Sequence, residues 1–227
     1  MFGHCLIRLI HQIVVLRKEF SNKKILIRKE DLKSVYRRLH LHARSDKQSG
    51  VRVKIDEIWN IIISLRITFG GVPGPAYSCT FSDIVCDTIK DSLDCDSMSE
   101  NEVCSEFKEF IPPEEKLNDN IPFGKALSLE VKVPVEKNGK FDVYIDDFIG
   151  VTVDINNNKS RLEKAPCTVI YAVSHTSVNN TYVPRKNLTE KVKYRAEGAL
   201  SEIRTWLGWL LDTQQLLIKL PSHKCKA

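Results

Sequence analysis

Residues Lys140 to Ile155 read Lys-Phe-Asp-Val-Tyr-Ile-Asp-Asp-Phe-Ile-Gly-Val-Thr-Val-Asp-Ile, with two adjacent carboxylates, Asp146 and Asp147, between two apolar runs. Phe141, Val143 and Ile145 alternate with Asp142 and Tyr144 before the acids, and Phe148, Ile149, Val151 and Val153 follow them. Such runs predict a tight hairpin with the carboxylates at its tip. Neighbouring carboxylates repel, and each raises the pKa of the other. A divalent cation removes that repulsion. Hard oxygen ligands suit Mg²⁺, which is usually held by one or two carboxylates together with substrate phosphates. The same dipeptide also occurs in ordinary turns, because Asp side chains hydrogen-bond nearby backbone there. Companion residues elsewhere in the chain have to decide between these readings.

The tetrapeptide Tyr144-Ile145-Asp146-Asp147 resembles the Tyr-x-Asp-Asp motif of reverse transcriptases. Three further stretches stand in the order of that family. Asp31, just past a short strand and five residues before the aromatic Tyr36, resembles its first catalytic motif. The Gly- and Pro-rich stretch 65–76 resembles its second, matching at Phe69, Gly70 and Pro75 and departing at Thr68, Gly71 and Gly74. Trp206-Leu207-Gly208-Trp209 resembles the primer-grip hairpin. The continuation through Asp212-Thr213, Leu220-Pro221 and Lys224 is similar to Ty3-like and tyrosine-recombinase-encoding retroelements.

The resemblance implies RNA-directed DNA synthesis with two Mg²⁺ ions, or Mn²⁺ in their place. Asp31 and Asp146 would be direct ligands and Asp147 the third carboxylate. The Leu32 carbonyl would add a ligand, the Ser34 and Val35 amides would face the triphosphate, and Tyr36 would lie under the sugar. Phe69, with Gly70 and Pro75, would border the incoming nucleotide. Tyr144, Ile145, Leu207 and Gly208 would approach the primer. The implied partners are a primed RNA or DNA template and a dNTP, without a membrane. A catalytically inactive retroelement remnant that binds nucleic acid is the alternative.

The implied fold is an α+β polymerase palm, an antiparallel sheet backed by helices, with partial fingers and no thumb. Residues 1–30 would be a residual fingers segment and 31–91 the palm with the first two motifs. Residues 92–140 would be an acidic connection, 141–205 the palm with the catalytic hairpin and following helix, and 206–227 the primer-grip hairpin. Finger cations normally stand well upstream of the first Asp, so Met1 reads as an internal methionine of a truncated copy or as a misplaced gene start.

Local patterns add expectations of their own. Residues 2–19 read as an amphipathic helix, and Ile25 to Ile27 as a short strand running into charged residues. Glu30 stands where an apolar residue is usual in the resembling motif. Residues 51–65 read as helical or mixed. A helix follows the second motif, with Tyr77, Phe81, Ile84 and Thr88 on one face. Cys167 to Ala172 reads as a strand, and Asn187 to Trp206 as a helix interrupted by Gly198.

With 42% apolar and 28% charged residues, the composition is ordinary for a globular protein. No run reaches the length of a membrane span, and 6–16 makes a poor signal peptide because Arg8, His11 and Gln12 interrupt it. Seven cysteines without a Cys-x-x-Cys pair argue against a disulfide framework or a zinc site. The chain reads as intracellular. Residues 91–119 hold ten acids against two lysines, leaving 34 less 2 bases against 29 less 10 acids elsewhere, or +13. A basic body with a segregated acidic segment suits a polyanionic partner, since counterion release drives such binding.

Overall fold

The computed structural model describes residues 4–33, 39, 50–64, 66–67, 74–95, 136, 138–174 and 191–221. The architecture is mixed α+β with antiparallel sheets, and it is built around a three-stranded sheet of order β1-β5-β4. Strand β1 spans Ile25–Asp31, β4 Lys140–Tyr144 and β5 Asp147–Val153. The register runs from Ile25 opposite Val153 to Asp31 opposite Asp147, and from Lys140 opposite Val151 to Tyr144 opposite Asp147.

Side chains alternate across a strand, and the two faces of this sheet bury different cores. Leu26, Phe141, Val143 and Phe148 pack with Val85, Ile89 and Leu93 of helix α2 (Gly74–Asp94) and with Leu162, Ala165 and Val169 of helix α3 (Asn158–Ser174). Ile25, Ile27, Ile149, Val151 and Val153 pack on the other face. Their partners include Leu9, Ile13 and Leu16 of helix α1 (Cys5–Glu19), together with Trp206 and Leu211. Gly150 makes the first face possible. A Cβ there would meet Leu162 Cδ1 and Phe141 Cδ2, each at 2.6 Å.

Trp206 and Leu211 belong to a second three-stranded sheet, β6 (Ile203–Trp206), β7 (Trp209–Asp212) and β8 (Leu217–Lys219). Buried Arg17 joins it to α1, donating to the Thr213 carbonyl from Nη2 at 3.0 Å and to the Lys23 carbonyl from Nη1 at 2.6 Å. Thr213 Oγ1 donates to the Ile25 carbonyl at 2.7 Å, which ties this sheet to β1. Each bond satisfies a polar group that burial would otherwise penalise.

Several local expectations are overturned. Strand β1 continues through the charged residues to Asp31, because Arg28 and Glu30 pair on the helix-covered face at 3.0 Å. In the stretch expected to be helical or mixed, residues 51–63 form no helix. They fall in a hairpin of β2 (Gly50–Ile55) and β3 (Ile58–Ile63), closed by Asp56 and Glu57 at φ 48° and 64°. Two successive positive φ values make the type I′ turn that matches strand twist, and the β-branched run sustains the strands. Tyr77, Ile84 and Thr88 do share a face of α2, but it is the solvent face. The buried face carries Ser78, Cys79, Ser82, Val85, Cys86, Ile89 and Leu93, and its small residues allow close approach.

Residues 167–172 are helical, since α3 covers them. A short apolar run does not by itself distinguish a strand from a buried helical turn, and Leu162, Ala165, Val169 and Ile170 keep helical spacing on the core face. Pro166 lies inside this helix and lacks the N–H that would bond to the Leu162 carbonyl. Arg28 Nη1 takes over, donating to that carbonyl at 3.1 Å and to the Glu163 carbonyl at 2.6 Å. Of the helix expected over 187–206, the described residues form helix α4 (Lys191–Glu197), and Ile203–Trp206 is a strand. Gly198 ends the helix. A Cβ at that position would meet the Tyr194 carbonyl at 2.7 Å. Residues 187–190 and most of the acidic connection lie outside the described residues.

Candidate functional site

Asp31 ends β1 and stands directly opposite Asp147, the first residue of β5. Residues paired across an antiparallel ladder point to the same face, so both carboxylates lie on the face that α1 and the second sheet cover further along. Asp147 is therefore in the ladder, and the tip of the hairpin is Ile145-Asp146. Ile145 has φ 60°, a region a β-branched residue rarely adopts. Strain of this kind is concentrated at functional positions and persists only where the surroundings impose it. Strands β4 and β5 supply that constraint, with Tyr144 paired to Asp147 immediately below the turn.

The electrostatics couple the three acids. Burial raises the pKa of Asp146, the charge of Asp31 raises it further, and the Lys193 ammonium pulls it back. Burial also raises Asp147. Lys29 opposes that rise, while Asp31 and Asp146 add to it. Lys193, from α4, donates a hydrogen bond to Asp31 Oδ2 and forms an ion pair with it. A divalent cation would suit this donor chemistry, because the three carboxylates offer hard oxygen donors. As the side chains stand, Lys193 neutralises Asp31, and no group of three or more His, Cys, Asp or Glu among the described residues is arranged to hold a metal ion.

Other expected positions divide three ways. Leu32 is buried in the helix-side core. Tyr144 and Leu207 both pack against the core on the opposite face. Leu207 and Gly208 form the turn of the β6–β7 hairpin at φ 49° and 82°, so the hairpin read from Trp206 to Trp209 forms as expected. Pro75 stands in the first turn of α2 and is exposed. It does not belong to an irregular loop, because its fixed φ suits a helix start. Ser34, Val35, Tyr36, Phe69 and Gly70 lie outside the described residues.

Sequence reasoning missed what surrounds Asp31 on the helix side. Arg28, buried and adjacent in alternation to Glu30, donates from Nη2 to Glu30 Oε2 at 3.0 Å, to Tyr194 Oη at 2.9 Å and to Cys167 Sγ at 3.0 Å. Its guanidinium also lies over the Tyr194 ring, 5.3 Å from the centroid. Burial opposes the charge of Arg28, but the Cys167, Tyr194 and Glu30 partners outweigh it and raise the pKa. Tyr194 is the neighbour of Lys193, so this buried cluster fixes α4 where Lys193 reaches Asp31. The charged pair Arg28 and Glu30 in a strand was the available signal; nothing local distinguishes Lys193 from other lysines.

No protein-family model matches this sequence, and no curated protein matches it. Among solved structures, the chain is similar to apo telomerase from Candida tropicalis, truncated from its C-terminal domain, with 10% sequence identity and a TM-score of 0.47. The match covers 95% of this chain and 40% of that one, so the chain spans less than half of that protein's length.

Proposed function

We propose that this chain is a reverse-transcriptase-like palm that carries out template-directed nucleotidyl transfer, with divalent ions held by Asp31, Asp146 and Asp147. The supporting observation is that Asp31, distant in the chain from the Tyr-x-Asp-Asp hairpin, pairs with Asp147 and raises the pKa of Asp146. When bound, Mg²⁺ would neutralise phosphate oxygens and activate a primer hydroxyl. The chain's own part is positional. The β1–β5 ladder sets Asp31 and Asp147 side by side, and the strained Ile145 turn carries Asp146 beyond the ladder. Lys193 holds the negative charge of Asp31 until a cation replaces it. Basic residues outside the acidic segment would bind phosphate backbones without sequence preference.

The test is dNTP incorporation on primed RNA and DNA templates with Mg²⁺ or Mn²⁺. Asp31→Asn and Asp146→Asn are each expected to reduce incorporation by about 10²-fold or more, the scale of losing one preorganised charge-stabilising group. Incorporation that survives both substitutions would exclude the assignment. A second reading, nucleic-acid binding without catalysis, is favoured by one observation: Asp31 is already paired with Lys193. Primer–template binding by a chain that shows no incorporation with either ion would select it.

A further inference from the structure

We propose that helix α4 is a latch released by metal: a divalent cation entering at Asp31, Asp146 and Asp147 displaces Lys193, after which the helix lifts from β1 and uncovers Cys167. The latch rests on the reading of those acids as a metal site. Helix α4 has seven residues, and a helix of that length is marginal by itself in water. Packing has to hold it, and among its described side chains only Tyr194 is buried; Val192, Lys193 and Ala196 are exposed. Two contacts tie it to opposite faces of β1. Lys193 pairs with Asp31 on the face of the acids, and Tyr194 Oη accepts from Arg28 Nη2 at 2.9 Å on the other.

The rest of the buried cluster stays in place when α4 lifts. Arg28 is also held by Glu30 and by the Leu162 and Glu163 carbonyls, none of which belongs to α4. Past the helix, Ser201 and Ile27 exchange both backbone hydrogen bonds, at 2.7 and 3.0 Å, so the chain is pinned to β1 just beyond Gly198. Opening is thereby confined to the helix, and short segments with few buried contacts open at the least cost. Cys167, on α3, reports it. The thiol is buried, with Sγ 3.1 Å from Tyr194 Oη and 3.0 Å from Arg28 Nη2, and lifting Tyr194 strips it of that cover. The outer tether is the weaker one, since Lys193 is largely exposed, and it is the one for which a cation competes. Coupling of this kind is reciprocal: whatever loosens α4 also favours the cation.

Alkylation by iodoacetamide, resolved by peptide on the full chain with and without Mn²⁺, tests this. Without metal, Lys193→Met should raise the alkylation rate of Cys167 about two- to fivefold, the scale of losing one screened ion pair, and Lys193→Arg should restore protection. Mn²⁺ should raise the rate in the unsubstituted chain and add nothing in Lys193→Met. Cys86, buried in the helix-side core, should keep its rate throughout, which separates opening of α4 from global unfolding. Tyr194→Phe removes the hydroxyl bonded to Arg28 and touches no acid. It should tighten Mn²⁺ binding by calorimetry, but not in a Lys193→Met background, whereas a merely structural role would leave binding unchanged or weaken it. Absence of Mn²⁺ binding would overturn the metal reading and the trigger with it. Bound Mn²⁺ that leaves Cys167 alkylation unchanged, or Lys193→Met that leaves it unchanged without metal, would overturn the latch alone.

Discussion

Asp31 and Asp147 are direct partners across the β1–β5 ladder, with Asp146 one residue beyond in a turn that Ile145 holds at φ 60°. Three carboxylates crowded at one end of a sheet reduce stability unless a cation joins them. Lys193 provides part of that cation.

Asp146→Asn should therefore stabilise the metal-free protein at neutral pH. Burial and Asp31 raise the folded-state pKa of Asp146 above its ordinary value of 3.8. The folded state thus binds the proton more tightly than the unfolded chain. Stability falls as pH rises from about 4 through the raised pKa, and Asn removes that loss. The expected gain is below about 1 kcal/mol, because the group is half-exposed and solvent screens it. Urea denaturation at pH 7 and at pH 3.5 checks this, with the gain present only at the higher pH.

Lys193→Met should cost little stability, since the lysine side of this ion pair is largely solvent-exposed and screened pairs contribute about 0–1 kcal/mol. The same change removes the competing cation from Asp31 and should tighten Mn²⁺ binding severalfold by titration calorimetry. Unchanged or weaker Mn²⁺ binding would count against Asp31 as a ligand.

Arg28 lies at the other extreme. Its pair with Glu30 is almost wholly buried, and removing one member of such a pair costs about 3–5 kcal/mol because the other is left charged and unpaired. Arg28→Met should show a loss of that size in denaturant unfolding. Arg28→Met with Glu30→Leu should recover much of it, although the Leu162 and Glu163 carbonyls would still lack their donor.

Gly150→Ala should destabilise by about 1–3 kcal/mol, the usual cost of overpacking a filled core. The added methyl would meet Leu162 and Phe141 at 2.6 Å. Adding Leu162→Val shortens one of the two clashing side chains. The double variant should lose less than the sum of the single losses, measured as a double-mutant cycle.

Much of this molecule was legible along the chain because the signals are local. Period-two alternation around Tyr144 and Phe148 specified β4 and β5, and helical spacing from Leu9 to Leu16 specified α1. The Leu207-Gly208 turn announced the β6–β7 hairpin. Where local signals were ambiguous, packing decided. The run at 167–172 became helix because Arg28, distant in sequence, donates to the carbonyl that Pro166 cannot serve. Ile58 to Ile63 became strand because a type I′ turn at Asp56-Glu57 aligned it with β2. The side of α2 that faces the core is the one that carries Val85, Ile89 and Leu93 beside small Ser78, Cys79 and Ser82, and Tyr77 is left on the solvent side. Composition and motif named Asp31, Asp146 and Asp147 as a candidate set. Only the ladder register placed Asp31 opposite Asp147, and only the buried Arg28–Tyr194 contact brought Lys193 to it. Register and burial join residues through space, and neither leaves a local pattern in the chain.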